Sequence, residues 1–278
     1  QIYPPPSSNR TTSRSEAGER ECNPATLRLR CKNVGGIGST TKKRQALFNN
    51  IRGNVDIAIL SETKFKESDC DTYRQEWNSL MYNSCTREDH AQAGVSILIR
   101  RGLDIKIDEK KGIGHGKDLD GRIVWVLAEI RAKTILIIGL YGPSAGDREE
   151  FFRDELFPIM RNKNYDHCII GGDWNVGMQP EDYKGYADPL GKRPKSRKVI
   201  HEGVETLDLI DIYRELQPDG RDFTWRNRGT ISKKTGVATQ QARLDYFMVD
   251  TGLAGLVQSV GACEPVNTSF DHKTISLR

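Results

Sequence analysis

Apolar residues in this chain come in short bursts. None approaches the ~18 consecutive residues a membrane-spanning helix needs, and the runs present, such as Ile135 to Ile138, have the length of strands. From Leu27 onward nine β-like runs follow one another, at 27–32, 55–61, 94–100, 122–130, 134–141, 166–172, 223–225, 244–249 and 274–277. Helical spacing falls between them: Ala46, Leu47 and Ile51 within 40–51; Phe151, Phe152, Leu156 and Ile159 within 147–162; and Val199, Ile200, Val204 and Leu207 within 196–207. Pro158 is expected to distort the last turn of the second helix. Strands grouped in sequence, with a few helices and no regular βαβ alternation, predict an α/β chain of two packed sheets flanked by helices.

No fixed-period repeat and no second change of composition divides 26–278, so this stretch is expected to form one compact unit. Residues 1–25 hold Pro4-Pro5-Pro6, Ser, Thr, Arg and Glu with almost nothing apolar, which predicts a disordered lead-in. Gln1 stands where Met would begin a complete chain, and no charged stretch leads into an apolar one; a piece of a longer protein without a secretory signal is expected. Cys22, Cys31, Cys70, Cys85, Cys168 and Cys263 form no Cys-x-x-Cys pair, so neither a zinc knuckle nor a disulfide scaffold is indicated, and a reducing compartment is expected. The net charge of +4 is too mild to indicate nucleic acid by itself. Its distribution is more telling: residues 184–198 and 221–243 each carry six basic residues against one acidic, a local balance of +5. A solvated surface is the ordinary reading of such runs.

Polar residues where an apolar run should continue mark candidate function. Asn33 follows the first run, Glu62 the second, Tyr141 and Gly142-Pro143 the fifth; Asp173 and Asn175 end Gly171-Gly172-Asp173-Trp174-Asn175, and Asp271-His272 precede the last run. Taken singly, each has a plain reading as surface, turn or satisfied partner. Together, carboxylates, amides, a phenol and an imidazole are the inventory of metal-assisted phosphodiester hydrolysis. A hard divalent ion takes oxygen ligands, a base must activate water, and donors must stabilise charge at phosphorus.

In their order along the chain, Leu60-Ser61-Glu62-Thr63-Lys64, Gly171-Gly172-Asp173-Trp174-Asn175, Leu209-Ile210-Asp211-Ile212-Tyr213-Arg214, Phe223-Thr224-Trp225, Arg243-Leu244-Asp245-Tyr246 and Asp271-His272-Lys273 resemble the endonuclease/exonuclease/phosphatase superfamily. More narrowly, they are similar to the apurinic/apyrimidinic-like endonuclease domain of non-LTR (LINE-type) retrotransposons. The resemblance implies a DNase I-like four-layer α/β sandwich with mostly antiparallel or mixed sheets. It implies that Glu62 ligates Mg²⁺, with Mn²⁺ as the alternative, supported by Asn33 and with Asp271 as a second carboxylate near the metal. Asp173 would position or deprotonate the attacking water, Asn175 would hold water and phosphate, Tyr141 would donate to the phosphate, and His272 would stabilise charge with its tautomer fixed by Asp245. Either Asp173 or the Asp245–His272 pair could serve as the base. Phe270 separates Ser269 from Asp271 where the family places Ser directly before the Asp-His pair, and Trp174 stands where Phe is commoner.

By the same resemblance the segment from Arg226 to Gln241 is a hairpin or long loop that enters a DNA groove, with Thr224, Trp225, Arg226, Arg228, Lys233 and Lys234 as candidate DNA contacts. The implied substrate is double-stranded DNA, nicked on one strand to leave a 3′-hydroxyl for target-primed reverse transcription. The implied partner is a reverse transcriptase domain C-terminal in a parent polyprotein, and no membrane. Action would be nuclear after synthesis in the cytoplasm. A cellular abasic-site repair endonuclease and a decayed DNA-binding module are the alternatives.

Overall fold

The structure, a computed structural model, describes residues 26–85, 93–107, 114–118, 120–233, 235–263 and 270–278. The expected lead-in of residues 1–25, Lys234 and Ser269 lie outside the described residues.

Two six-stranded sheets face each other. The first runs in the order β14 (Val260–Cys263), β15 (Thr274–Leu277), β1 (Leu29–Asn33), β2 (Ile57–Ser61), β4 (Val95–Ile99) and β3 (Met81–Ser84). The second runs β10 (Leu209–Asp211), β13 (Asp245–Asp250), β8 (His167–Asp173), β7 (Lys133–Tyr141), β6 (Ile123–Ile130) and β5 (His115–Lys117). A short ribbon of β11 (Trp225–Arg226), β12 (Gln241–Ala242) and β9 (Tyr183–Lys184) stands apart. Within the two large sheets, β1–β2 and β7–β8 pair in parallel and the other pairs are antiparallel.

The unbroken apolar runs follow from burial on both faces. Along β2, Ile57 and Ile59 enter the core between the sheets with Ile97, Ile137, Ile169 and Phe247. Ala58 and Leu60 turn the other way, against Phe48 and Ile51 of α1 (Thr41–Arg52) and Tyr73 and Trp77 of α2 (Cys70–Trp77). On the second sheet Leu136, Ile138, Ile170 and Met248 pack outward on Phe152, Leu156 and Phe157, and on Ile200 of α4 (Pro194–Thr206). Helix, sheet, sheet, helix: the four-layer α/β sandwich is the observed architecture, and each large side chain buried in it contributes about 1.5–3 kcal/mol of transfer free energy.

The helix expected at 147–162 is present, but its distortion falls elsewhere. A π-helical stretch, Phe151–Leu156, runs directly into α3 (Phe157–Arg161), which has Pro158 in its first turn. Proline lacks an N–H and its ring conflicts with the carbonyl four residues back, so the wider turn forms upstream of Pro158 instead of at the helix end.

Register sets up the site. The two parallel pairs bring strand ends together, with Asn33 beside Ser61 and Tyr141 beside Asp173. Asp245, opening the antiparallel β13, sits opposite Asp173. β15 lies between β14 and β1, so the residues just before it arrive at the same end of the molecule. Gly171-Gly172 is a packing requirement: a Cβ on Gly171 would lie 2.7 Å from the Phe247 ring, and one on Gly172 would lie 2.1 Å from the Leu140 carbonyl oxygen. Among the described residues no helix is long and apolar enough to cross a membrane.

Candidate active site

Asn33, at the end of β1, is buried and joins two carboxylates. Its Nδ2 donates to Glu62 Oε2 at 3.1 Å and to Asp173 Oδ2 at 2.9 Å, while its Oδ1 accepts from Gly35 N at 3.0 Å. Two acceptors on one side and a backbone donor on the other fix the orientation of the amide. Asn33 therefore meets both acids as a donor, with its oxygen committed to the backbone.

Glu62 sits just past β2 in a left-handed conformation (φ 54°), as do Lys64 (φ 54°) and Asn175 (φ 56°). Such backbone costs about 1–3 kcal/mol and persists where surroundings over-determine it. Here Gly36 N donates to Glu62 O, Ile37 and Gly38 N to Thr63 O, and Thr63 and Lys64 N to Gly94 and Ala93 O, at 2.8–3.1 Å. The Glu62 carboxylate accepts from Tyr141 OH at 3.4 Å and pairs with Lys64 Nζ at 3.0 Å. Burial, with Glu62 and Asp173 nearby, pushes the Tyr141 phenol well up, so it stays a donor at neutral pH.

Asp173 accepts from Asn175 N at 2.9 Å, and Asn175 Nδ2 donates to Gly142 O at 2.9 Å. Across the second sheet, His272 Nδ1 is 2.8 Å from Asp245 Oδ2, leaving Nε2 3.8 Å from Asp173 Oδ2. Burial first, then the charge of Asp245, raises Asp173 to about 7, against the lowering influence of His272, Asn33 and the Asn175 N–H. For His272 burial acts to lower the value, but Asp245 and Asp173 overcome it and carry the imidazole to about 9. Asp245 Oδ1 is buried without a hydrogen-bond partner in the structure.

Glu62, Asp173, Asp245 and Asp271 thus gather against His272 and Lys64, and the surplus of hard oxygen donors suits a divalent cation. Glu62 and Asp271 line one cleft with Lys43 and Arg228 and could hold it, with Asn33 behind Glu62. Asp173, Asp245 and His272 also lie close enough to ligate an ion, their ligand atoms within 4.8 Å of one another. The short His272–Asp245 contact suits that group better to proton handling.

The basic segments divide. Arg226 donates from Nη2 to Phe270 O at 3.2 Å, and its N–H donates to Asp271 O at 3.1 Å. Arg228 and Lys233 are exposed on a hairpin whose strands meet at the Ile231–Ala238 bridge, so the expected hairpin is present. Trp225 is half-buried and bridges to His272 through backbone. Thr224 is buried, and its hydroxyl accepts the N–H groups of Leu244 and Asp245, both at 3.0 Å; it holds Asp245 from below. Arg193, Arg197 and Arg243, which swell the sequence count of positive charge, are turned inward. Arg193 donates to Asn175 O and Ser144 O, Arg197 to the Gly177, Leu190 and Lys192 carbonyls, and Arg243 to Asp182 and Asp211. Arg193 and Arg122, the latter donating to Tyr141 O and Gly142 O, brace the site loops without any sequence signal beyond an arginine in a loop.

Comparison with known proteins gives a consistent set of relatives. A model of the Endonuclease/Exonuclease/phosphatase family matches residues 33–276. The Transposon TX1 uncharacterized 149 kDa protein of Xenopus laevis is 23% identical over 259 residues, 91% of this chain but only 18% of that protein's length. The AP endonuclease LMAP of Leishmania major superposes with a TM-score of 0.72 at 19% identity, covering 90% of this chain and 86% of that one. An AP endonuclease from Archaeoglobus fulgidus gives 0.66 at 19% identity, covering 91% and 99%. At these identities the structural likeness speaks for the fold.

Proposed function

The chain belongs to the endonuclease/exonuclease/phosphatase family, and from that footing we propose that it is a Mg²⁺-dependent DNA endonuclease. In this reading it nicks one strand of double-stranded DNA and leaves a 3′-hydroxyl to prime reverse transcription of a non-LTR retrotransposon. The observation that carries the proposal is the single network from Glu62 through Asn33 to Asp173, which lies 3.8 Å from the Asp245-paired His272. The transposon relative, matched over 91% of this chain, favours the retroelement role over a repair enzyme. By the same proposal a reverse transcriptase elsewhere in the parent polyprotein would use the nick, and the work would be nuclear.

Asp173, raised to about 7, is poised to take a proton from the attacking water near neutral pH. In this reading His272, raised to about 9, carries its proton there and serves as a cationic donor to the phosphate, and Asp173 takes the base role. Asn175 orients water and phosphate beside it, and Tyr141 donates to a phosphate oxygen. Glu62 and Asp271 would hold the divalent ion, Mg²⁺ or Mn²⁺, which would supply Lewis-acid stabilisation of phosphate charge. Arg226, Arg228 and Lys233 contact DNA phosphates from the hairpin, with Trp225 against the backbone and Thr224 acting through Asp245.

The test is nicking of supercoiled plasmid with Mg²⁺, with EDTA and by Asp173→Ala, beside an oligonucleotide holding one abasic site. Metal-dependent nicking of intact DNA, lost in the variant, is expected. Cleavage confined to the abasic site would replace the retroelement reading with a repair enzyme, and no cleavage of either would leave a DNA-binding module.

A further inference from the structure

Two thiols outside the site lie within reach of each other at the edge of the first sheet. Cys70 opens α2 and is partly exposed; Cys85 follows β3 and is buried; their Sγ atoms are 3.6 Å apart. We propose that Cys70 and Cys85 are a peroxide-oxidisable pair that closes to a disulfide, tying the start of α2 to the end of β3. The hydrogen bond from the Cys85 thiol, with Arg74, Asn83 and Lys117, outweighs burial and brings Cys70 down to about 7, while Cys85 itself is pushed up. That division is what the chemistry requires: one thiolate to attack and one protonated thiol to resolve. The other described cysteines lack it. Cys31 and Cys168 are sealed in the core with thiols pushed up by burial, and Cys263 lies beside the Ser276 hydroxyl.

The steps balance. The Cys70 thiolate attacks one oxygen of hydrogen peroxide; the O–O bond breaks, hydroxide leaves, and Cys70 becomes a sulfenic acid. The Cys85 thiol then attacks the Cys70 sulfur; the S–S bond forms as the S–O bond breaks, and the thiol's proton leaves with that oxygen as water. The two electrons lost by the two sulfurs have gone to the peroxide. In the reducing compartment the sequence suggests, the pair rests as thiols.

The experiment treats the reduced, full chain with hydrogen peroxide, blocks remaining thiols under denaturing conditions and maps peptides by mass. The expected product is one linked pair of peptides containing Cys70 and Cys85, lighter by two hydrogens and restored by a reductant. The link is absent from Cys70→Ser and present in Cys263→Ser. At pH 7, before oxidation, Cys70 should be alkylated about fivefold faster in the wild type than in Cys85→Ala, because the variant lacks the bond that favours the thiolate. The oxidised chain should melt roughly 5 °C higher than the reduced chain. Irreversible sulfinic acid at Cys70, a dimer linked through Cys263, or full alkylation of both thiols after peroxide would each overturn the proposal.

Discussion

Arg243 and Asp245 are separated only by Leu244, yet they belong to buried polar networks of opposite character. Arg243 donates to Asp182 at 2.7 Å and to Asp211 at 2.5 Å, and Arg214 donates to Asp182 at 2.6 Å. Two guanidiniums meet two carboxylates, and Met178 and Gln179 N–H groups satisfy the remaining Asp182 oxygen. Asp245 belongs to a cluster with more acids than cations and keeps one buried oxygen without a partner. Charge balance is what closes the first network, although Arg214 Nε is buried without a hydrogen-bond partner, and it holds ribbon, helix and sheet together. An open one is tolerated where something else completes it, and that difference separates scaffold from chemistry more sharply than burial does.

The largest effect that tests this contrast is on the open side. Glu62→Ala or His272→Ala should slow nicking by ~10³-fold or more while DNA affinity, read by fluorescence anisotropy, changes about twofold at most. Wild-type cutting by either variant would refute the assignment. On the closed side, Arg243→Met removes the cation that Asp182 and Asp211 share and should cost about 3–5 kcal/mol in denaturant unfolding; a loss under about 1 kcal/mol would mean the knot is not stabilising.

The two networks should also fail at opposite ends of the pH scale. Burial works to raise Asp182, but Arg243 and Arg214 hold it low, so the stability it gives is full above about pH 3.9 and lost as pH falls through its folded value. Asp173 is raised to about 7, so it destabilises the fold progressively as pH rises from about 4, the unfolded value, to 7. His272, raised to about 9, adds stability that is full below about 6.5 and is lost as pH climbs through 9. Thermal unfolding in EDTA should therefore show declining stability from pH 5 to pH 9, and Asp173→Asn should flatten the part below about pH 7. A slope unchanged in that variant would remove Asp173 as its source. The smallest effect lies at the rim: Arg228→Ala or Lys233→Ala should slow nicking a few-fold and reduce the slope of log affinity against log salt by about 0.9 for each DNA phosphate left without its cation.

The open network was more legible in the sequence than the closed one. Asn33, Glu62, Tyr141 and Asp173 each interrupt an apolar run at a strand end, a local violation that a reader of sequence can see. Asp182 ends a single 3₁₀ turn, Pro180–Asp182, and its partners Arg214 and Arg243 are 32 and 61 residues away, so nothing local marks the pairing. The same blindness made inward arginines look like surface charge. The long strands show because both faces are buried, whereas β5, β9 and β12 are too short and polar to signal, and α2 offers only Tyr73 and Trp77 as an apolar stripe. Thr224 looked like a DNA contact because its neighbours do; its hydroxyl is occupied by the backbone beneath Asp245.

The position of β15 bears on when this protein can act. The strand Thr274–Leu277, about 240 residues beyond β1, fills a gap between β14 and β1, and His272 rides in just ahead of it. Until that strand docks, the first sheet is split and the imidazole is away from Asp173 and Asp245. During synthesis the site stays incomplete until Thr274–Leu277 have been made and have paired with β1, because the pairing that brings His272 in is long-range in sequence. The chemistry of the site is thereby tied to the docking of β15.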